Sequence, residues 1–156
     1  MLLVFPMANA AKIGDYQCNP VNAVAYVTGY LEGPENCDGF DYCVLGSLTG
    51  TPNGEITYFS NWADEVLDPF GTGDNMVLGV GEERISTRHG DIYTLSHTTY
   101  DLDTDVYTEL LTVKAGTGKY ENAIGRMVYH TKLPPSPGKP ISFFGPISLF
   151  GVVCTP

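Results

Sequence analysis

Residues Asp105 to His130 read D-V-Y-T-E-L-L-T-V-K-A-G-T-G-K-Y-E-N-A-I-G-R-M-V-Y-H. Before the glycines, Tyr107, Glu109, Leu111 and Val113 alternate with Thr108, Leu110, Thr112 and Lys114. A period of two sends successive side chains to opposite faces of a sheet. Ala115-Gly116-Thr117-Gly118 supplies the turn, because two glycines reach the positive φ angles that tight connections demand. Alternation resumes from Tyr120 to His130, and Gly125 in mid-strand marks a bend or the close approach of another backbone. The stretch is a β-hairpin, and the remainder reads as the sheet that it joins.

Working outward, the same signals recur. Val21–Leu31 is the first strand, and Glu32–Gly39 a loop with Gly-Pro and Asp-Gly turns. Tyr42–Thr49 and Glu55–Phe59 form a hairpin across Gly50-Thr51-Pro52-Asn53-Gly54. Residues 60–73 are irregular, with a turn of helix expected at Trp62–Leu67 that Pro69 ends. Asn75–Val80 is a short strand, and Glu82–Arg88 pairs with Asp91–Thr99 across His89-Gly90. Lys132–Pro140 is a proline-rich surface connection, and Ile141–Val153 closes the chain as a final strand. Eight or nine short strands separated by turns argue for a sandwich or a closed barrel, all-β in class.

Composition agrees. In 156 residues there are 18 Gly and 11 Pro, which favour turns over long helices, and one domain of this length buries a sizeable core. A net charge of −10 sets the protein's own field against nucleic acid, which is excluded as a partner. After the N-terminal segment no apolar run approaches the ~18 residues needed to span a bilayer. Residues 1–10 end in Ala8-Asn9-Ala10, an A-x-A cleavage pattern after a short apolar run, so they read either as the remainder of a secretory signal or as an apolar N-terminal strand. On the first reading the mature domain is 11–156 and the protein is secreted or periplasmic. Cys18, Cys37, Cys43 and Cys154 form an even set without C-x-x-C spacing, which speaks for disulfides rather than a zinc site. Of three pairings, the favoured one staples Cys37 to Cys43 and ties Cys18 to Cys154.

Glu109 is the leading candidate for chemistry. If the Tyr107-Glu109-Leu111-Val113 face points inward, a carboxyl lies among apolar side chains, where desolvation raises its pKa and suits it to proton transfer. A one-residue slip exchanges the faces, but Thr108 and Thr112 make the other face the more polar. Tyr107 is the hydroxyl partner on that face, and Arg84 and Arg126 are candidate guanidinium partners across the barrel. Tyr58, Tyr93, Tyr100 and Leu111 are candidate pocket-lining residues, their rings adding apolar area and their hydroxyls orienting a ligand. Asp101-Leu102-Asp103-Thr104-Asp105 opens like a calcium loop, yet Val106 and Thr112 stand where the EF-hand needs Gly and Glu. His89, His97 and His130 lack ligand spacing, and no phosphate-binding or nucleophile motif is present, so no metal or cofactor is implied.

The segment G-D-I-Y-T-L-S, with Gly90, Asp91, Leu95 and Ser96, followed by L-T-V-K-A-G-T-G-K-Y-E-N-A-I-G, with Gly116, Thr117, Gly118, Tyr120, Ala123 and Gly125, resembles the allene oxide cyclase and dirigent superfamily. Ala115 stands where that pattern has its first glycine. The resemblance covers about a quarter of the chain and is a fold-level signal. It implies an eight-stranded antiparallel calycin-like barrel with a hydrophobic cavity, a disulfide between N- and C-terminal cysteines, which supports Cys18 with Cys154, and a trimer as the homo-oligomer. The function it implies is binding of a hydrophobic small molecule, or an isomerase that cyclises or stereochemically steers a reactive intermediate. Glu109 occupies the position of a pocket arginine in dirigent proteins, and the E-x-N tripeptide of plant allene oxide cyclases is absent from the early strands. The matched residues therefore carry the fold and neither reaction.

Overall fold

The alternation at residues 107–113 is realised in the computed structural model, which describes residues 11–60, 65–67, 76–101, 103–132 and 146–156. Among these the chain forms ten strands: β1 (Ala11–Ile13), β2 (Tyr16–Glu32), β3 (Tyr42–Thr51), β4 (Gly54–Ser60), β5 (Glu65–Leu67), β6 (Met76–Thr87), β7 (Gly90–Asp101), β8 (Val106–Gly116), β9 (Ile124–Lys132) and β10 (Ile147–Thr155). A short 3-10 turn, Gly118–Tyr120, lies between β8 and β9. Eight strands run antiparallel in the order β2-β10-β9-β8-β7-β6-β4-β3, and β3 returns to pair with β2. The result is a closed eight-stranded antiparallel barrel. β1 and β5 are short additions to β2 and β6.

Closure depends on β2, whose 17 residues bond β3 on one side and β10 on the other. Asn22 is opposite both Thr51 and Phe150, so no free edge remains at the seam. Inside, Ile85, Ile92, Leu111, Met127 and Leu149 are essentially inaccessible and form the centre of the core. On β8, Tyr107, Glu109, Leu111 and Val113 are buried, while Leu110 and Lys114 face out.

Several boundaries differ from the sequence expectation, each for a local reason. Tyr120 does not begin the second strand of the hairpin. Gly118 at φ 56° and Asn122 at φ 59° turn the chain, and Lys119 N–H donates to the His89 carbonyl at 2.8 Å, so residues 118–123 are held against the β6–β7 turn. Gly125 does meet another backbone, since a Cβ there would lie 2.3 Å from the Val152 carbonyl oxygen. The two strands expected at 75–80 and 82–88 are one, β6, which passes through Gly81 without a break because Ser60 and Ser96 pair with it on both sides. Within the expected helical turn, residues 65–67 are strand β5 instead, bonded to β6. Residues 61–64, the segment 1–10, the proline-rich 133–140 and the start of the expected final strand, 141–145, lie outside the described residues.

Both disulfides form as expected. Cys18 and Cys154 are directly opposed across β2 and β10, which joins the two ends of the chain at the barrel seam. Cys37–Cys43 closes the β2–β3 connection and packs with Phe40 and Phe59 in a small second core on the outside of the barrel. The Cys18–Cys154 bridge spans a separation of 136 residues, so it removes a large loop entropy from the unfolded chain, worth about 3–5 kcal/mol. Replacing both cysteines with serine should lower the thermal midpoint by roughly 10 °C while leaving the far-ultraviolet spectrum that of a β protein. A midpoint shift near zero on thermal denaturation would contradict the entropic role.

Candidate functional site

Glu109 points into the barrel and is 3% exposed. Its position on β8 follows from the alternation with Leu111, and two hydroxyls on adjoining positions meet it. Ser96 of β7 donates to Oε1, and Tyr107, two residues back on the same face, donates to Oε2. A second carboxyl accompanies it. Glu83 of β6 is also 3% exposed, and Tyr129 Oη of β9 donates to its Oε1 at 3.0 Å. The two glutamates stand on strands separated only by β7, Glu83 opposite Thr94 and Glu109 opposite Thr98, and both side chains line the same space.

That space is a pocket of about 90 Å³. Five tyrosines, Tyr42, Tyr58, Tyr100, Tyr107 and Tyr129, line it with Thr98, Glu83, Glu109 and aliphatic side chains of β2, β3, β4 and β10. The rings of Tyr42 and Tyr58 are 6.3 Å apart and tilted, and Tyr30 continues the aromatic series outward at 5.6 Å from Tyr42. Thr98 Oγ1 is buried beside the Tyr58 and Tyr107 hydroxyls without a hydrogen bond of proper geometry. Among the described residues no Lys, Arg or His lines this pocket. A second pocket of about 110 Å³ opens where Tyr120 meets Val21 and Val153, but its one charged group is the exposed Lys119, and it contains no buried ionisable side chain.

Desolvation controls the electrostatics. Burial raises the Glu109 carboxyl above its usual range, and the hydrogen bonds from Ser96 and Tyr107 oppose that rise. Glu83 is pushed well up, first by burial and then by the charge of Glu109, against one hydrogen bond from Tyr129. Glu109, which accepts two hydrogen bonds against one for the equally buried Glu83, is thus the favoured carboxylate and Glu83 the favoured acid of a coupled pair. The Tyr58, Tyr107 and Tyr129 phenols are all raised, chiefly by burial, so they stay neutral donors.

Of the residues singled out in the sequence, Glu109, Tyr107, Tyr58, Tyr100 and Leu111 face the interior, all but Leu111 lining the pocket. Arg126, Arg84 and Tyr93 do not. Arg126 is exposed, because Met127 and Tyr129 take the inner positions on β9. Arg84 lies on the outer face of β6 between the buried Glu83 and Ile85, with Nε buried and without a hydrogen bond. Tyr93 lies between the buried Ile92 and Thr94 and donates to Asp91 Oδ2 at 3.2 Å. Asp101 Oδ1 accepts the Asp103 and Thr104 amides, which makes that acidic stretch a self-capped turn. Sequence reading missed Glu83, although the period-two pattern through Ile85 places it on the inner face by the same logic that placed Glu109.

No family model, curated protein or solved structure matches this chain. The chemistry of the site rests on its own geometry.

Raised carboxyl pKa values set the sign of a pH dependence. As pH rises above the ordinary value of 4.5, the unfolded chain releases protons that the folded barrel still holds, so folding stability falls as pH rises from there through the raised values. Urea unfolding should therefore give a lower midpoint at about pH 8 than at about pH 5, and Glu83→Gln should remove most of that difference. An unaltered slope in the variant would show that Glu83 titrates normally.

Proposed function

We propose that this barrel binds a small, largely apolar organic molecule in the tyrosine-lined pocket, with the Glu83–Glu109 pair recognising its polar group. The observation that carries the reading is the placing of two buried carboxyls in one otherwise apolar cavity, which is the arrangement of ligand sites: mainly apolar walls with a few convergent polar groups. At about 10–15 Å³ for each water-sized group, the cavity takes a ligand of fewer than about ten non-hydrogen atoms, and a long-chain lipid does not fit it as it stands. Two disulfides accord with an exported, secreted or periplasmic protein.

The unequal hydrogen bonding of the two carboxyls favours a second reading, an isomerase of the allene oxide cyclase or dirigent kind. There Glu109 takes a proton from the bound molecule and Glu83 supplies one elsewhere, while the tyrosine walls hold a single conformation. On that reading Glu109→Gln abolishes turnover and keeps binding.

Filling the cavity tests the first reading. Val44 lines the pocket, and Val44→Trp should eliminate a small ligand that native mass spectrometry finds on the wild-type protein while the variant still folds. A ligand retained by the folded variant would place binding elsewhere.

A further inference from the structure

We propose that the ligand of this pocket is a small organic cation, a primary to tertiary ammonium held between Glu83 and Glu109 within the tyrosine box. The proposal rests on the small-molecule reading above and names the ligand class.

Charge balance is the first argument. Every strand of the barrel contributes to the pocket wall, yet among the described residues the only ionisable groups there besides phenols are two carboxyls. The nearest guanidinium on β6, that of Arg84, and the guanidinium of Arg126 on β9 belong to the outer face. A buried carboxyl ionises readily only where a cation pairs with it, and among the described residues the protein supplies none to line the pocket. An ammonium placed between the two glutamates neutralises them, whereas an anionic ligand is repelled.

Unspent hydrogen-bonding capacity is the second. Two donors meet Glu109, one on each oxygen, whereas the Tyr129 hydroxyl donates to Glu83 at Oε1, and the buried Thr98 Oγ1 makes no hydrogen bond among the described residues. An ammonium N–H group meets the carboxylate acceptor directly. The walls complete the fit, since phenol faces attract a desolvated cation through the ring quadrupole. A wholly apolar ligand leaves the two glutamates and Thr98 as they are and gains none of these interactions. The −10 charge of the chain further raises the local concentration of cations.

Proton release follows. The five tyrosines are the other titratable groups facing the pair, while β2 and β10 present aliphatic side chains, so ionisation of the glutamates on cation entry is uncompensated except by the ligand. Burial disfavours the charged form of both carboxyls, so an ammonium that stabilises the carboxylates draws them toward ionisation, and the proton lost on binding goes to the buffer.

The test is calorimetry of the full chain with benzylamine, its neutral isostere benzyl alcohol, and benzoate, in buffers of different ionisation enthalpy. Benzylamine should bind at least about tenfold more tightly than benzyl alcohol, with protons released to the buffer, and benzoate should not bind. In the E83Q/E109Q protein the preference for the amine should disappear, with benzyl alcohol binding reporting that the pocket is folded. Equal or tighter binding of benzyl alcohol to the wild type would overturn the cation assignment and leave the small-molecule reading standing. Absence of binding by both would overturn the two together, and an amine preference that survives E83Q/E109Q would remove these carboxyls from the recognition.

Discussion

A barrel closed through β2 creates the dry interior on which every other property of this protein depends. Because β2 is bonded on both sides, the eight strands leave no edge at the seam, and their inner faces are shielded from water. A carboxyl on such a face loses most of its hydration. Both the Glu83 and Glu109 carboxyls are therefore raised above their ordinary range, and three tyrosine hydroxyls and a serine exist in the core in places where aliphatic groups would otherwise pack. The Cys18–Cys154 bridge lies at this same seam, so covalent and hydrogen-bonded closure coincide.

Much of this was legible in the residues. Period-two alternation located β8 and its inner face, and a single apolar-versus-threonine comparison put Glu109 inside. Turn chemistry located the hairpins, and even the mid-strand glycine at 125 reported a close backbone, which the Val152 carbonyl provides. What failed were features set by non-local partners. Gly81 looked like a break, yet strand pairing on both sides carries β6 through it. Tyr120 looked like a strand residue, yet a hydrogen bond from Lys119 to His89 keeps its segment in a turn. Arg84 and Arg126 were attractive partners for a buried carboxylate, but each is one residue from an inward position, and in a sheet that difference is the whole difference between core and solvent.

The glycine-rich turn and strand motifs read in the sequence at 90–96 and 116–125 and the residues that form the site are largely different sets. Gly116, Thr117 and Gly118 bind the β8–β9 connection to the β6–β7 turn, about 25 Å along the strand from Glu109, and serve the architecture. Ser96 belongs to both sets, being a motif residue whose hydroxyl bonds Glu109. The site's distinctive content, two acids and five phenols with no cation among the described residues, is thus a property of this chain's own inner face.

The central claim is that Glu83 and Glu109 form one coupled, desolvated pair in the pocket. Carbon-13 NMR of the glutamate carboxyl carbons across a pH titration tests it most directly. The account predicts two glutamates titrating above the ordinary range in mutually dependent steps, with the remaining Glu83 shifting downward once Glu109 is replaced by glutamine. Two independent titrations in the ordinary glutamate range, unaffected by that replacement, would contradict it.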